Sequence, residues 1–308
     1  MTTTKTKVIQ QNKQSQRAKQ EARAAHIFMA PWFIGAICLT ILPMLASLYF
    51  SFTDYRLLND PHLVGLENYQ RLATDPRLSQ SLKVTFIYVL AGTPLSLIAA
   101  LLLAIVLNRG IRGLSFYRSV YYLPSLFAGS VAIGVLWRQV FGQEGLINQV
   151  LDFFGIAGKS WVGSPDTALD TLILLHIWTF GSSMVIFLAG LRQIPAELYE
   201  ASSLDGAGKW GQFWHVTIPM LSPIILFNLV LGIINSFQSF TQAFVVSGGT
   251  GGPTESTLVY ALYLYQQAFG NKHDIGYASA MAWLLVLIVG VLTAINFWFS
   301  KRWVHYAD

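Results

Sequence analysis

Charged side chains are scarce in this sequence. Of its 308 residues, 11% are Asp, Glu, Lys or Arg, whereas about a quarter are charged in an ordinary soluble domain. The charges fall in short clusters, and long uncharged stretches separate them. Each charge exposed to the lipid interior is costly, and every backbone polar group there needs an internal partner. The scarcity therefore excludes an ordinary soluble domain and predicts an all-α integral membrane protein.

Groups that support catalysis or metal binding are also missing. Cys38 is the only cysteine, so the chain cannot form an internal disulfide, and no metal-ligand spacing occurs. No glycine-rich phosphate loop of the type that ends in Gly-Lys-Ser/Thr is present. The histidines form no acid–base constellation with Asp or Glu. We therefore expect a chain that is not an enzyme, binds no cofactor and does not hydrolyse ATP itself.

Six apolar stretches are close to the length of about 20 residues that a helix needs to cross a bilayer. The predicted spans run from Ile27 to Phe52, Thr85 to Leu107, Val120 to Trp137, Leu169 to Leu191, Met220 to Val246 and Ile275 to Ser300. Six spans place both chain ends on one side, which holds 13 Lys and Arg residues against 7 on the other. Because basic residues stay with the cytoplasm, both termini are predicted to be cytoplasmic. Topology, rather than binding to nucleic acid, then accounts for the net charge of +5.

The predicted organisation has three parts. Residues 1–26 form a polar, basic cytoplasmic tail, residues 27–300 form the six-helix membrane domain, and residues 301–308 form a short cytoplasmic tail. The membrane domain includes one long cytoplasmic loop, 192–219, between the fourth and fifth spans.

The predicted spans have no Asp, Glu, Lys or Arg in their middle. Carriers driven by protons or sodium usually keep such groups at membrane depth, so an ion-coupled secondary carrier is the weaker alternative. Only His176 could titrate there, and it is either a hydrogen-bonded packing residue or a proton relay. The energy for transport is therefore expected from another subunit.

Uncharged polar side chains concentrate in the fourth and fifth spans. In the fifth, Asn235, Ser239 and Gln242 have spacings that share one helix face. In the fourth, hydroxyls and an indole lie within two turns, from Trp178 to Ser183. Amides and hydroxyls can hydrogen-bond an uncharged polyhydroxyl solute, and aromatic rings can cover the C–H face of a sugar. Interhelical hydrogen bonding is the alternative role, but so many amides favour a water-filled path.

The loop 192–219 has the pattern of a helix–turn–helix. Pro195 suits a first helical turn, and Gly206 can end that helix. A second short helix is expected from Lys209 to His215, before Pro219 leads into the next span.

The same loop resembles the EAA signature of ABC-importer permeases, which reads E-A-A, three residues, G, nine residues, I-x-L-P. Here Glu200-Ala201-Ser202 is followed at those spacings by Gly206, Val216, Ile218 and Pro219. Elsewhere, Gly65-Leu66-Glu67-Asn68-Tyr69 and Gly251-Gly252-Pro253 look like segments of the carbohydrate-uptake branch. The chain thus resembles the transmembrane permeases of the maltose-type, binding-protein-dependent family.

The resemblance implies the six-helix fold of a type I ABC-importer permease in the plasma (inner) membrane of a bacterium or archaeon. It also implies three kinds of partner: a second homologous permease, a dimer of ATP-binding subunits that use ATP and Mg, and an extracellular solute-binding protein. The expected cargo is a di- or oligosaccharide. Glycerol-3-phosphate or a polyol is the alternative.

Two sets of site residues follow from the resemblance. The loop would seat in a cleft of one ATPase subunit, with Glu200 paired to an Arg there, small residues allowing close approach and apolar ones anchoring the contact. This coupling set is Leu198, Glu200, Ala201, Ser202, Asp205, Gly206, Ala207 and Phe213. The substrate-path set is Trp178, Thr179, Ser182, Ser183, Asn235, Ser236, Ser239 and Gln242.

Overall fold

The computed structural model describes residues 25–57, 59–110 and 112–305, and the regular structure in them is helical. The α-helices are, in chain order, α1 (Ala25–Phe50), α2 (Glu67–Thr74), α3 (Pro76–Leu107), α4 (Leu114–Phe127), α5 (Val131–Val140), α6 (Leu146–Phe153), α7 (Pro165–Trp178), α8 (Gly181–Leu191), α9 (Ala196–Leu204), α10 (Lys209–Phe237), α11 (Thr241–Val246), α12 (Tyr260–Phe269) and α13 (Ile275–Ser300). Helices α1 and α10 each include a π-helical turn, at Ile37–Ile41 and Phe213–Thr217. The predicted N-terminal tail, except for its last two residues, and the last three residues of the predicted C-terminal tail lie outside the described residues.

Four helices, α1, α3, α10 and α13, are long and apolar enough to cross a membrane. Two further pairs pass the same test when each is taken as one bent segment: α4 with α5, and α7 with α8. Counted in this way the described chain has the predicted six spans, and α13 coincides with the sixth of them. The described part of α1 has no buried side chain, as expected for an apolar helix that faces lipid.

The prediction that the third span is one continuous helix is wrong. Val120–Trp137 is not one helix, because α4 and α5 are separated by a break and meet at 101°. Gly129 and Ser130 lie in this break. The Ser130 hydroxyl accepts a hydrogen bond from the Ile133 N–H at 3.4 Å and so caps α5.

The fifth predicted span, Met220–Val246, is shifted along the chain. Helix α10 begins at Lys209, runs unbroken to Phe237 and is followed, after a break, by the short α11. The separate short helix expected from Lys209 to His215 is therefore the first part of the span itself. The π-helical turn carries the helix into Pro219, which has no N–H to donate and whose ring crowds the carbonyl one turn before it.

Helix α3 is the central helix and packs against α7, α8, α10 and α12. It begins earlier than the predicted second span because Asp75 caps it. The carboxylate accepts a hydrogen bond from the Arg77 N–H at 2.9 Å, and Pro76 suits the first helical turn. Gly92 allows α7 to pack closely, since a Cβ there would meet the His176 ring at 2.9 Å.

Two hydrophobic cores lie along α3. The larger is built around its first part with α7, α12 and the start of α13, and includes Tyr88 and Tyr260. The smaller is built around its last part with α8 and α10, and includes Ala104 and Phe187. Between the two cores, α3 faces a polar cavity.

A cluster of charged and phenolic groups ties α2, α3, α12 and α13 together at one end of the molecule. The Asp75 carboxylate accepts hydrogen bonds from the hydroxyls of Tyr263 and Tyr277, each at 2.6 Å. Arg71 donates to Asp274 at 2.7 Å, and its guanidinium lies 3.8 Å from the centre of the Tyr277 ring. Asp274 in turn caps α13. Because carboxylates that start two helices also bind groups on other helices, the cluster fixes the relative positions of all four.

These contacts lower the pKa of Asp75. Partial burial acts to raise it, but hydrogen bonds from two tyrosine hydroxyls and two backbone N–H groups stabilise the carboxylate and bring the pKa below its ordinary value of 3.8. A carboxylate whose pKa is lower in the folded chain than in the unfolded chain stabilises the fold. This stabilisation is complete at pH values above the pKa of the same group in the unfolded chain. This contribution is lost as the pH falls through the folded-state value.

The variant Asp75→Asn keeps the size of the side chain but removes its charge. We expect it to lower the free energy of unfolding at neutral pH by about 1–2 kcal/mol, because hydrogen bonds to a charged acceptor contribute about 1.5–3 kcal/mol and partial exposure weakens them. We also expect a smaller loss of stability on acidification than in the parent chain. Thermal unfolding in detergent at about pH 7 and at about pH 3, on either side of the ordinary carboxyl pKa, measures both effects.

The control for this variant is Asp60→Asn, which makes the same change at an exposed position. It should leave the unfolding temperature and its pH dependence close to those of the parent chain. Equal effects of the two variants would contradict the structural role of Asp75.

Candidate functional site

A polar cavity of about 520 Å³ lies between the two hydrophobic cores, midway along α3. Among the described residues, no Asp, Glu, Lys or Arg lines it. Its polar wall consists of Tyr88, Thr93, Ser96, Ser125, His176, Thr179, Ser182, Ser183, Asn228, Asn235, Gln238, Ser239, Thr241 and Gln242. The cavity therefore offers many neutral hydrogen-bonding groups and no fixed charge.

Three helix breaks meet at this cavity. Helix α4 ends before α5 at residues 128–130, α7 bends by 40° into α8 at residues 179–180, and α10 ends at Phe237 before α11. Each break leaves backbone groups without partners in their own helix. One of them is satisfied across the wall, where Gln242 Nε2 donates to the Ala128 carbonyl at 3.0 Å. Because irregular backbone at membrane depth is tolerated where it is buried in protein or lines a water-filled cavity, the breaks indicate an aqueous path.

Gly181 lets α4 approach the start of α8. A Cβ at this position would overlap the Tyr121 carbonyl and would meet the Cα of Tyr122 at 2.8 Å. The close approach brings Ser182 to hydrogen-bonding distance of Ser125, with 3.2 Å between the hydroxyl oxygens. Helix α4 thus adds a hydroxyl to the wall of the cavity.

Six of the eight predicted path residues line the cavity: Thr179, Ser182, Ser183, Asn235, Ser239 and Gln242. Ser236 is buried, and its hydroxyl lies 2.9 Å from Thr93 Oγ1 and 3.3 Å from His176 Nε2. That is the interhelical hydrogen bonding named as the alternative role. Trp178 lies outside the lining and packs against Trp137 in a tilted arrangement, with 5.9 Å between ring centres. Contact between the six lining residues and a substrate stays a prediction.

The three polar residues that the sequence predicts on one helix face of the fifth span do not lie on a single helix. Asn235 belongs to α10, Ser239 lies in the break that follows, and Gln242 belongs to α11. They converge on the cavity because the chain turns between them, not because they share one helix. The Tyr88 hydroxyl holds the turn, at 3.4 Å from Ser239 Oγ and 3.4 Å from Gln242 Oε1.

Five polar side chains of the wall are free to bind a solute. The side chains of Ser96, Ser183, Asn235, Gln238 and Thr241 form no hydrogen bond with another described residue. The two amides each provide a donor and an acceptor, and each of the three hydroxyls provides both. A solute with many hydroxyl groups could pair with all five.

Sequence reasoning missed the contribution of α3 and α4 to the wall, which comprises Tyr88, Thr93, Ser96 and Ser125. Thr93 and Ser96 lie three residues apart in an otherwise apolar span, so their spacing was a signal for one polar helix face. Ser125 had no such signal. Its place in the wall depends on the close approach of α4 at Gly181, which only the packing shows.

The second candidate site is a shelf, defined as α9 together with the start of α10 up to Thr217. It lies near the last turn of α3, at the opposite end of that helix from Asp75. The Tyr199 hydroxyl lies 3.0 Å from Thr217 Oγ1. Gln212 Nε2 donates to the Tyr199 carbonyl at 3.1 Å and to Ser203 Oγ at 2.8 Å. These bonds join α9 and α10 into one unit.

Gly206 ends α9, as the sequence predicts. Its φ of +82° lies in the left-handed region that favours glycine. The Gly206 N–H donates to the Ser203 carbonyl at 3.0 Å, and the Ala207 N–H donates to the Ser202 carbonyl at 2.9 Å. The last carbonyls of α9 are thereby satisfied, and the chain turns directly into α10.

The predicted coupling residues differ in exposure. Leu198, Glu200, Ala201, Asp205 and Gly206 are exposed, whereas Ser202, Ala207 and Phe213 are half-buried. Phe213, expected as an apolar anchor for a partner, lines a recess between the shelf and the span ends. The most exposed apolar side chains of the shelf, Leu204 at 90% and Trp210 at 75%, were not predicted.

The chain matches a known protein family over residues 76–305, described as "Binding-protein-dependent transport system inner membrane component". It is 50% identical to the Probable ABC transporter permease protein YesP of Bacillus subtilis (strain 168), over 96% of each chain. It is 33% identical to the Lactose transport system permease protein LacF of Rhizobium radiobacter, over 90% of this chain and 93% of LacF.

Among solved structures, the chain is similar to one from a bacterial alginate ABC transporter in complex with an alginate pentasaccharide-bound periplasmic protein. The TM-score is 0.81 at 19% identity, and the match covers 93% of this chain and 96% of the other. That similarity shows the fold, and it confirms the predicted fold of an ABC-importer permease. With the family match and the identities above, the chain belongs to the family of binding-protein-dependent transport system inner membrane components.

Proposed function

We propose that this chain is the permease subunit of an ATP-driven importer and that it moves an uncharged di- or oligosaccharide through the membrane. The observation that carries the proposal is the cavity midway along the spans. Its wall is polar and has no Asp, Glu, Lys or Arg among the described residues, and three helix breaks lie beside it. A sugar has many neutral donors and acceptors and no charge, so a burial site of this kind can satisfy it without paired charges.

The names of relatives support a sugar as the cargo. LacF is named for lactose, and AraP of Bacillus subtilis, 30% identical over 89% of this chain, is named for arabinooligosaccharides. The volume of about 520 Å³ falls within the range of about 300–1,000 Å³ for pockets that hold ligands of this size, which favours a sugar of more than one ring over a small polyol. Glycerol-3-phosphate fits less well, because a phosphate is best held by Arg or Lys and no described residue of the wall is either.

Coupling to a separate ATP-binding subunit is proposed to occur at the shelf. Glu200 is exposed there and would pair with an Arg of that subunit through charge-assisted hydrogen bonds. The hydrogen bonds of Tyr199 and Gln212 fasten α9 to α10, and α10 runs unbroken to Phe237. A displacement of the shelf therefore moves the far end of α10, where Asn235 lines the cavity. Rigid-body motion of this kind can switch access to a site between two sides of a membrane.

The proposed assembly has a second homologous permease, a dimer of ATP-binding subunits that use ATP and Mg, and an extracellular solute-binding protein. The shelf and both chain ends would lie on the cytoplasmic side of the plasma (inner) membrane. The distribution of Lys and Arg, 13 on that side against 7 on the other, supports this orientation.

The variant Asn235→Ala removes an amide that is free to bind the sugar. In the reconstituted importer we expect the sugar concentration for half-maximal uptake to rise about 5–10-fold, because a lost hydrogen bond costs about 1–1.5 kcal/mol. Asn296→Ala is the control, since the Asn296 amide lies on α13 and donates within its own helix to the Leu292 carbonyl at 2.8 Å. Unchanged uptake by Asn235→Ala would show that Asn235 does not bind the transported sugar.

The variant Glu200→Ala tests the shelf. We expect uptake and sugar-stimulated ATP hydrolysis to fall at least about tenfold, because breaking a charge-assisted pair at an interface costs about 2–5 kcal/mol, while insertion of the chain into the membrane persists. Glu197→Ala, three residues earlier on the same exposed helix, should have a much smaller effect. Normal uptake by Glu200→Ala would refute the proposed contact.

The orientation of the shelf can be tested by cysteine labelling. Cys38 is exposed and is first replaced by serine, after which Leu204→Cys adds one thiol at a position that is 90% exposed. An impermeant maleimide should label this thiol in inverted membrane vesicles and leave it unlabelled in right-side-out ones. The reverse pattern would place the shelf outside and would overturn the proposed coupling.

A further inference from the structure

A recess of about 360 Å³, separate from the sugar cavity, lies between the shelf and the ends of α3 and α8. Two basic residues line it, Arg109 after α3 and Lys209 at the start of α10, although they are far apart in the chain. No Asp or Glu among the described residues lines the recess, and neither base belongs to an ion pair there. Two positive charges without a counter-charge make the recess attractive to an anion.

A neutral donor lies beside the two bases. The side-chain amide of Asn108 lines the recess and forms no hydrogen bond with another described residue. The Tyr199 and Thr217 hydroxyls, which also line it, are already bonded to each other at 3.0 Å. Two cations and a free amide can together hold an oxyanion with several acceptor oxygens.

Apart from Gln212, whose amide donates to the Tyr199 carbonyl and Ser203 Oγ, the remaining wall of the recess is apolar. Ile105 and Leu191 belong to the last turns of α3 and α8, and Phe213 faces them from α10. A free phosphate ion or a protein carboxylate would leave this wall uncovered, whereas the acyl chains of a lipid would cover it. On the same helix as Lys209, Trp210 and Trp214 are 75% and 58% exposed, and indoles in such positions are typical of the bilayer interface.

We propose that this recess binds the phosphate headgroup of an anionic glycerophospholipid. Arg109 and Lys209 hold the phosphate, the Asn108 amide donates to it, and the acyl chains lie along the ends of α3 and α8. Basic recesses between membrane helices are suited to such headgroups. The site goes beyond the proposed transport function: it lies beside the proposed coupling surface on the shelf, and none of its lining residues lines the sugar cavity. The lipid would fasten the shelf to the spans.

Lipid titration of the full chain in detergent, followed by native mass spectrometry, tests the proposal. The probes are phosphatidylglycerol, phosphatidylcholine and inorganic phosphate. The parent chain should retain phosphatidylglycerol in preference to phosphatidylcholine, and inorganic phosphate at matched concentration should not displace it. The double variant Arg109→Gln with Lys209→Gln should bind phosphatidylglycerol about 25-fold more weakly, because the loss of each base that contacts an anionic lipid weakens binding about fivefold.

Two further variants act as controls. Lys301→Gln removes a base just after α13 and outside the recess, and it should retain the lipid as the parent chain does. The swap of Arg109→Lys with Lys209→Arg keeps both charges and should also retain it, which separates a lost charge from a misfolded shelf.

Three results would overturn the proposal. The first is equal retention of phosphatidylglycerol by the double glutamine variant and the parent chain. The second is displacement of the lipid by inorganic phosphate, which would make a free anion the ligand. The third is a double variant that keeps the lipid but no longer binds the ATP-binding subunit, which would assign the two bases to a protein carboxylate.

Discussion

Inside a bilayer every backbone polar group needs a hydrogen-bond partner, and the rest of this structure depends on that constraint. Unbroken helices satisfy it along α3 and α13, both of which are strongly apolar in composition. Three other spans are interrupted, and all three interruptions open onto one polar cavity. There the wall and enclosed water can satisfy the freed groups, as the Gln242 amide does for the Ala128 carbonyl. The site for a polar solute and the place where helices can break are therefore the same region.

Hydrogen bonds tie the helices together at both ends and leave the middle polar and open. At one end, Asp75 and Asp274 each start a helix and also receive groups from neighbouring helices. At the other, Tyr199 and Gln212 join the shelf to α10. Two hydrophobic cores separate these ends from the cavity. In the proposed mechanism such a frame moves as rigid pieces, so that a change at the shelf alters the cavity although no residue of the shelf lines it.

The parts of the fold that sequence reasoning found and missed differ in their physical origin. Helix α13 could be delimited because Asp274 starts it and an unbroken apolar run follows, both of which are local signals. The break between α4 and α5 was missed because residues 128–130 lie within a stretch apolar enough to be one span, although Ser130, which caps α5, is a local signal for it. Six of the eight proposed path residues line the cavity. Ser236 does not, because it follows Asn235 on the same helix and is therefore directed towards Thr93 and His176 instead.

By itself the sequence determined that this chain lies in a membrane, that its spans have no charge in their middle, and that a helix, a glycine turn and a second helix follow the fourth span. These properties depend on composition and on neighbours close in the chain, which a sequence displays directly. Only the tertiary structure decided which polar side chains share one cavity, that the cluster around Asp75 and Asp274 links four helices, and that Arg109 and Lys209 meet in one recess. Those arrangements join residues that are distant in the chain, and the packing of whole helices sets the distances between them.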